Sequence, residues 1–554
     1  MNQPVRPPAP AAARPSRVVL VGYGPVGARF VEGLLPAVAA GSMTLTVLGA
    51  EAEDAYNRVL VGEYAVGRTG RQRLEITDTA AARAAGVTIR TAEAAVAVDR
   101  YRQRVRTGAG DHVPYDRLVL ATGSRANVPR LGGLEGVGRV PSAPPDATGD
   151  LDRGRAVRPR GVVTLRDLRD AETVREVVGT RGRVVVLGAG VLGMEIALAV
   201  RDVGAEVSVV HTGETPMAGT LDRDGGRMLA RAARRAGVEV HAHAVAESVS
   251  LRQTGSGAQF RGLVCADGTF VGGDLLLLSC GVRPRTELAE AAGLDTEFGI
   301  LVEPDLRCWG DPDVFAVGDC AQVAAPGDRG PDGRVGGAPS GLLAPGWRQA
   351  EALASRLVAE AEGRSPVDRG PAPRRPHVVM VKASGVDVVA GGTVDVDPWD
   401  EAVDGAREVS QWLDPARGRY VRTVARDGVL DGFVAVGAPR AGAELTLLLE
   451  RGAELPEDPG VVLRLDSAHE ATVSSGPDDP AATVCWCNGV PAGTVTEAAA
   501  AGAVTVEDVG RATRAGTGCG GCRGRIAELL SCAAGAQAGT THGHDHPDPV
   551  LAPA

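Results

Sequence analysis

The stretch RVVLVGYGPVG, residues 17–27, decides the fold of this chain. Its apolar run predicts a β-strand, and Gly22, Gly24 and Gly27 follow at the spacing G-x-G-x-x-G. The first glycine permits a tight turn, the second lets the backbone approach a pyrophosphate, and the third lets the next helix pack closely on the strand. The N–H groups at the start of that helix favour phosphate. Glu51 follows the next apolar strand, where a carboxylate can bind a pair of ribose hydroxyls.

The same arrangement occurs a second time in the stretch RVVVLGAGVLG, residues 183–193. Gly188, Gly190 and Gly193 repeat the spacing, and Glu195 follows inside the predicted helix. A single motif of this kind is a weak signal, but two of them predict two dinucleotides on one chain. The expected pair is a flavin and a nicotinamide.

Two shorter signals lie at the ends of other apolar strands. One strand ends in Ala-Thr122-Gly123, and another ends in Gly318-Asp319. The order of the four motifs resembles that of the two-dinucleotide flavoprotein reductases. This resemblance implies that FAD occupies the first glycine turn, that Asp319 hydrogen-bonds its ribityl chain, and that the second nucleotide domain is inserted into the first.

The residues that follow the second glycine turn bear on the choice of nicotinamide. The ribose-binding position falls in residues 207–214, and no Arg or Lys follows until Arg223. A 2′-phosphate would therefore lack a cation, and Glu214 would oppose it, so NADH is predicted over NADPH. His211 departs from the pattern, since NAD-preferring enzymes often have an acid at its position.

The first nucleotide domain has no cysteine between residues 22 and 60. Members of this fold that reduce disulfides carry a Cys-x-x-x-x-Cys pair there. The sequence therefore predicts that electrons leave the flavin by another route.

A group of cysteines near the C-terminus offers that route. Cys485-Trp-Cys487 and Cys519-Gly-Gly-Cys522 are predicted metal ligands, with two short helices between the pairs. The pattern resembles the [2Fe-2S] domain of bacterioferritin-associated ferredoxin. Structural zinc is the main alternative and free thiols the other, but zinc sites usually space paired ligands by two to four residues. Cys532 is one cysteine more than a cluster needs and is predicted to lie on a helix face.

Two details of this cysteine-rich region are also predicted. Thr505 to Asp508 has the pattern of a capped helix start, and Gly516 and Gly518 are expected to close that helix. Cys522 is expected at the start of the final helix, where the helix dipole stabilises a thiolate.

Composition excludes several functional classes. The chain has 554 residues, 44% of them hydrophobic and 23% charged, which indicates several globular domains. Its net charge of −10 argues against nucleic acid as a partner. The most apolar stretch, residues 184–200, contains three glycines and Glu195 and is a poor membrane span, and the N-terminus lacks the apolar core of an export signal. A cytoplasmic location is predicted. The remaining cysteines are expected to be buried, inert thiols: Cys265, Cys280, Cys308 and Cys320.

A closer resemblance covers residues 17–470. This region is similar to the N-terminal half of the NAD(P)H-dependent nitrite reductase large subunit, and the cysteine domain continues the same order. The resemblance implies that Tyr56, Asn57 and Arg58 approach the flavin. Arg58 is the candidate catalytic residue, although the chemistry is expected to be done mainly by FAD. The matching pieces are AYNRVL (55–60), VVH (209–211), CGVRP (280–284) and GAELP (452–456).

The predicted fold class is α/β, with two Rossmann-like dinucleotide-binding domains, one inserted in the other. A small α+β C-terminal reductase domain and a small helical [2Fe-2S] domain complete it. The predicted division is a disordered leader (1–16), an FAD-binding domain (17–137 and 283–361), an NAD-binding domain (160–282), the α+β domain (377–470), the [2Fe-2S] domain (483–534) and a disordered histidine-containing tail (535–554). In the α+β domain, strands are predicted at 378–381, 420–425 and 429–436, with a hairpin turn at Asp427-Gly428 and a helix around Leu445.

The family's nitrite reductases continue into a sirohaem and [4Fe-4S] domain, whereas this sequence ends soon after Cys532. It therefore resembles the electron-transfer subunit of assimilatory nitrate reductase. The implied function is transfer of electrons from NADH through FAD and a [2Fe-2S] cluster to a partner protein, a nitrate or nitrite reductase catalytic subunit. The α+β domain is predicted to serve structure or dimerisation, and in the second case the protein would be a homo-oligomer. The alternatives are a reductase for another carrier, such as a ferredoxin or rubredoxin, and a non-enzymatic flavin and iron–sulfur redox sensor.

Overall fold

The computed structural model describes residues 14–134, 159–255, 257–330, 333–339, 341–365, 378–383, 385–399, 407–467, 480, 482–485, 488–517 and 522–538. Most of the predicted leader and tail, and the segment 135–158, lie outside the described residues. So do two of the predicted cluster ligands, Cys487 and Cys519.

Residues 14–134 begin a parallel sheet in which β1 pairs with both β2 and β7. Two 3₁₀ turns, at Arg58–Leu60 and Arg71–Leu74, lie between β2 and α3. The elements are β1 (Ser16–Val21), α1 (Pro25–Ala39), β2 (Met43–Leu48), α2 (Val61–Ala65), α3 (Thr79–Ala84), β3 (Thr88–Arg90), β4 (Ala95–Asp99), β5 (Arg104–Thr107), β6 (His112–Pro114), β7 (Arg117–Leu120) and β8 (Ser124–Ala126).

Residues 159–281 form what we call the second sheet unit. Its parallel sheet has the order β12-β11-β10-β16-β9, and β13, β14 and β15 form a small antiparallel sheet beside it. The elements are β9 (Val162–Val163), α4 (Leu168–Gly179), β10 (Val184–Leu187), α5 (Val191–Asp202), β11 (Val207–Val210), α6 (Arg223–Arg235), β12 (Glu239–His241), β13 (Ala246–Thr254), β14 (Gly257–Cys265), β15 (Phe270–Gly272) and β16 (Leu275–Leu278).

The chain then returns to the first sheet. Strand β19 pairs in parallel with β7, which gives the order β19-β7-β1-β2-β3. Residues 14–134 and 282–365 together form the first sheet unit, so the predicted insertion of one nucleotide-binding fold into the other is confirmed. The added elements are β17 (Val282–Pro284), α7 (Glu287–Ala291), β18 (Ile300–Val302), β19 (Val314–Ala316), β20 (Ala321–Val323) and α8 (Leu343–Ala361).

Residues 378–467 form the antiparallel unit, a sheet of order β21-β22-β25-β24-β23 covered by a helix. The predicted hairpin is confirmed, since β24 and β25 are joined at Asp427 and Gly428, both with positive φ. Leu445 and Leu449 of the helix are buried against the sheet. The elements are β21 (Val378–Ala383), β22 (Val386–Gly392), β23 (Arg407–Asp414), β24 (Arg419–Arg426), β25 (Val429–Val436), α9 (Pro439–Arg451) and α10 (Gly460–Leu463).

The C-terminal unit, residues 480–538, is small and mostly helical. Thr505 and Asp508 form the predicted capping box at the start of α12. The predicted end of that helix was wrong: Arg514, with φ +65°, closes it, because its N–H reaches Gly510 and its carbonyl accepts hydrogen bonds from side chains nearby. The elements are β26 (Thr483–Cys485), β27 (Val490–Pro491), α11 (Ala492–Ala500), α12 (Val506–Thr513) and α13 (Arg523–Ala538). Helix α13 runs past residue 535, where the disordered tail was predicted to begin.

The central strands of both parallel sheets are buried on both faces, as continuous apolar runs in such sheets predict. Their carboxyl ends meet the first turns of α1 and α5, which positions the glycine motifs. Among the described helices, none combines the length and apolar character needed to cross a membrane.

Candidate functional site

The first glycine turn has the geometry of a pyrophosphate cradle. Gly22 has φ +109°, and a Cβ there would lie 2.1 Å from the carbonyl oxygen of Ala121. A Cβ at Gly27 would lie 2.3 Å from the Gly22 oxygen, so strand and helix are in close contact. By contrast, the nearest atom to a Cβ at Gly24 is Arg58 Nε at 3.8 Å. The backbone at Gly24 is therefore open to a ligand, at the N-terminus of α1.

The second glycine turn repeats this geometry. A Cβ at Gly188 would lie 2.2 Å from the Ser279 oxygen, and one at Gly193 would lie 2.1 Å from the Gly188 oxygen. Gly190, which caps α5, has no atom within 4 Å of a Cβ position. Both turns thus fit a dinucleotide: two glycines are needed for packing and the middle one leaves room for phosphate.

Glu51 and Arg58 are brought together beside the first turn. The Glu51 carboxylate accepts a hydrogen bond from Tyr56 Oη at 2.8 Å and is paired with the Arg58 guanidinium. Burial opposes ionisation of Glu51, but Arg58 and the hydrogen bonds hold its pKa below the ordinary value. Glu51, the acid expected to bind ribose, is therefore ionised at neutral pH. Arg58 lies next to both Gly24 and Glu51.

Three further arginines surround this position, and sequence reasoning missed them. Arg58 Nη1 donates a hydrogen bond to the backbone carbonyl of Arg166 at 2.8 Å. Arg285 is accessible to solvent but surrounded by protein, and this desolvation, together with the charge of Arg125, lowers its pKa to about 10. Such a concentration of positive charge in a cleft suits the phosphates of a dinucleotide. The only sequence signal was the repeated arginine in VRPR at 282–285.

The two short motifs meet at the carboxyl edge of the first sheet. Asp319 lies in a 3₁₀ turn after β19 and accepts a hydrogen bond from Ser124 Oγ at 2.9 Å. Thr122 Oγ1 donates to the Arg285 carbonyl at 2.9 Å, and the Gly123 carbonyl accepts from the Arg285 N–H at 2.9 Å. Gly318 donates its N–H to Gln349 of α8 at 2.8 Å. Residues far apart in sequence thus line one edge, as their family order implied.

The residues predicted to govern the choice of nicotinamide, Glu214 and His211, both lie in unexpected surroundings. Glu214 is ion-paired with Arg223 and Arg227, with nitrogen–oxygen distances of 2.9 Å. A 2′-phosphate was expected to find no cation here and to be opposed by Glu214, but α6 folds back and places both arginines on this acid. His211 is buried, its Nε2 has no hydrogen-bond partner among the described residues, and burial lowers its pKa. The imidazole is therefore neutral at pH 7 and can bond a hydroxyl.

Glu195 lies in α5, one helical turn after the first residue of that helix, Val191. It lines a cavity of about 1110 Å³ where all four units meet. The same cavity is lined by Val59 and Trp347 of the first sheet unit and by Asn488 and Arg514 of the C-terminal unit.

Two of the four predicted cluster cysteines are described, and both are buried in the apolar core of the C-terminal unit. Cys485 ends β26, and Cys522 immediately precedes α13 as predicted. Asn488 Nδ2 lies 3.6 Å from Cys485 Sγ. Cys487 and Cys519 lie outside the described residues, and in the part that is described no three candidate ligands come together. Two buried thiols at the ends of the motif fit a cysteine-ligated group held at the edge of this core.

The other cysteines behave as predicted, with one difference. Cys265, Cys308 and Cys320 are buried, and burial raises the pKa of each thiol. Cys280 is only half-buried, yet desolvation raises its pKa to about 11. Cys532 lies exposed on α13, as expected.

Comparison with known proteins agrees with this geometry. Residues 16–341 match the family described as Pyridine nucleotide-disulphide oxidoreductase, and residues 483–531 match the BFD-like [2Fe-2S] binding domain. These matches give FAD, NAD(P)H and a [2Fe-2S] cluster as the cofactors, and they disfavour the zinc alternative.

Two similar proteins are reductases of nitrite or nitrate, or a subunit of one. A nitrite reductase [NAD(P)H] of Bacillus subtilis is 27% identical over 93% of this chain and 57% of its own length. The assimilatory nitrate reductase electron transfer subunit of the same organism is 25% identical over 93% of this chain and 59% of its own. The chain thus spans little more than half the length of these relatives.

Among solved structures, the covalent putidaredoxin reductase–putidaredoxin complex has a TM-score of 0.64 at 21% identity, covering 81% of this chain and 95% of the other. This likeness shows that the chain shares the fold of that structure. Together with the family match over more than half of the sequence, it leads to one conclusion: the chain belongs to the pyridine nucleotide-disulphide oxidoreductase family.

Proposed function

We propose that this enzyme takes electrons from NADH and delivers them, through FAD and its [2Fe-2S] cluster, to a nitrate or nitrite reductase catalytic subunit. The observation that carries the proposal is the joint presence, in one chain, of two dinucleotide cradles and a cysteine-rich unit packed beside them. Residues 22–60 hold no cysteine pair that could serve as the acceptor instead. We further propose the cytoplasm as the setting, since it holds the NADH pool.

The residues divide this work between them. FAD, when bound, accepts hydride and releases single electrons, which an iron–sulfur cluster requires. Gly24 and Gly190 would admit the two pyrophosphates, and Glu51 and Asp319 would accept hydrogen bonds from the hydroxyls of the flavin nucleotide. Cys485 and Cys522, with Cys487 and Cys519, would hold the iron.

The test combines metal analysis with anaerobic stopped flow. Purified protein should contain FAD and about two irons per chain. NADH should bleach the flavin first and reduce the cluster afterwards. A variant with Cys485→Ser and Cys487→Ser should lose the cluster, keep flavin reduction by NADH, and fail to reduce the partner.

Two outcomes would contradict the proposal. One is a single zinc and no iron in the purified protein. The other is normal partner reduction by the cysteine variant, which would make the C-terminal unit structural or regulatory. Copurification of a nitrate or nitrite reductase subunit from nitrate-grown cells of the native host would identify the partner.

A further inference from the structure

A contact between the C-terminal unit and the first sheet unit begins at Asn57. This side chain is 1% exposed, and its Oδ1 accepts from the Val59 N–H at 3.0 Å, which caps the 3₁₀ turn. The orientation of the amide is thereby set, and Nδ2 donates to the Thr517 carbonyl of the C-terminal unit at 3.0 Å. Asn57 directly precedes Arg58, so this contact lies beside the first dinucleotide cradle.

Arg29 of α1 makes the second contact. Its guanidinium lies 4.5 Å over the Trp347 ring and 3.1 Å from the Glu351 carboxylate, and the residue is nearly buried. These partners hold the arginine in one position before it meets the C-terminal unit. Its Nη2 then donates to Asn488 Oδ1 at 3.2 Å.

An ion pair completes the interface. Arg514 Nη2 lies 2.9 Å from Glu32 Oε2, on the same face of the first sheet unit. Arg514 is the left-handed residue that closes α12, so the pair depends on that helix end. Both side chains are partly exposed, which makes the pair sensitive to salt.

Asn488 links this interface to the cysteines. The side chain that accepts from Arg29 also donates to the Arg514 carbonyl at 2.8 Å and lies 3.6 Å from Cys485 Sγ. One amide therefore touches the first sheet unit, the ion-pair residue and a predicted cluster ligand.

We propose that Arg29, Glu32 and Asn57 form a docking face that holds the C-terminal unit in the position for electron transfer from flavin to cluster. On the C-terminal unit, Asn488 and Arg514 contact this docking face. The inference rests on the proposed function. Oxidation of each NADH yields NAD⁺, one proton and two electrons. The two electrons leave the reduced flavin one at a time, and each reduces the oxidised cluster before the electron passes to the partner.

The position of the C-terminal unit can be tested without any activity measurement. Lys382 is the only lysine of the chain, so a carbodiimide that joins carboxylates to amines has little to react with. In the full-length Arg514→Lys variant, the new amine should be cross-linked to Glu32, as peptide mass spectrometry would show. Arg511→Lys is the matched control: Arg511 is exposed on α12 and pairs with Asp508 of its own helix, so no cross-link to Glu32 is expected.

A charge swap tests whether this position serves electron transfer. Glu32→Arg and Arg514→Glu should each slow reduction of the cluster by the reduced flavin about tenfold, because like charges then face each other. The double variant should recover to within about threefold of the wild-type rate. Arg511→Glu should have no effect, and flavin reduction by NADH should be the same in all variants.

The outcomes separate this inference from the proposed function. If the wild-type cluster is never reduced by NADH, the proposed function fails whatever the cross-link shows. If the cluster is reduced at the wild-type rate in both single variants, or if the Arg514→Lys variant gives no cross-link to Glu32, the docking face is wrong and the proposed function stands.

Discussion

At the scale of single residues, Gly188 and Gly190 belong to one motif but have different requirements. Gly188 combines φ +110° with a Cβ position 2.2 Å from the Ser279 oxygen, whereas the space at Gly190 is open. Gly188→Ala should introduce about 2–4 kcal/mol of strain into the folded state. The melting temperature should therefore fall by several degrees. Gly190→Ala should leave melting unchanged and raise the KM for NADH, because the methyl group occupies the approach of the pyrophosphate. Equal melting temperatures for the two variants would contradict this assignment.

Nucleotide preference is also decided by a few residues. We expect NADH to exceed NADPH at least tenfold in kcat/KM, about 1.4 kcal/mol, because neutral His211 offers no charge to a 2′-phosphate. Arg223 and Arg227 both pair with Glu214, so replacing both arginines with alanine should free that acid and widen the preference for NADH. Steady-state kinetics with both nucleotides measure the effect. A preference for NADPH in the wild type would show that Arg223 or Arg227 binds phosphate instead of Glu214.

At the scale of elements, the buried carboxylate of Asp222 connects the start of helix α6 to strand β24. Asp222 accepts from the Gly225 N–H at the start of α6, accepts from Tyr420 Oη at 2.6 Å, and lies 3.5 Å from Arg422. Burial raises the pKa of Asp222, so the carboxylate depends on these partners to remain ionised. The antiparallel unit therefore stabilises the nucleotide-binding part of the second sheet unit.

Removing one hydroxyl tests this connection. Tyr420→Phe should destabilise the protein by about 1–3 kcal/mol, because the buried Asp222 carboxylate loses one of its donors. Tyr101→Phe is the control, since Tyr101 is 95% exposed. Thermal unfolding of the two variants should differ by several degrees, and similar melting temperatures would show that the Gly225 N–H and Arg422 suffice to stabilise Asp222.

At the scale of the whole molecule, the four units meet around one cavity, and the C-terminal unit touches the first sheet unit through polar contacts. Salt screens such contacts over about 10 Å at 0.1 M. Raising the ionic strength should therefore slow electron transfer from flavin to cluster while flavin reduction at saturating NADH stays constant. Glu32→Gln, which lacks the ion pair, should show a weaker salt dependence in stopped flow. An equal dependence in both proteins would place the salt effect outside this interface.

The sequence by itself determined the parts that depend on near neighbours. The two glycine turns, the capping box at Thr505 and the hairpin at Asp427 each lie within a few residues, where backbone sterics and local hydrogen bonds decide the conformation. The insertion of one sheet unit in the other was predictable because the order of the four motifs resembles that of the two-dinucleotide flavoprotein reductases. The end of α12 was not, because Arg514 adopts its conformation through contacts with Asn488.

Only the tertiary structure decided how distant charges pair. Arg285 joins Arg58 and Arg166 from a segment more than a hundred residues away, and α6 places Arg223 and Arg227 on Glu214. The meeting of Arg514 with Glu32 has no local signal at all. Ion pairs and hydrogen bonds act over a few ångströms, so which of the many arginines meets which carboxylate is settled only when the sheets and helices pack.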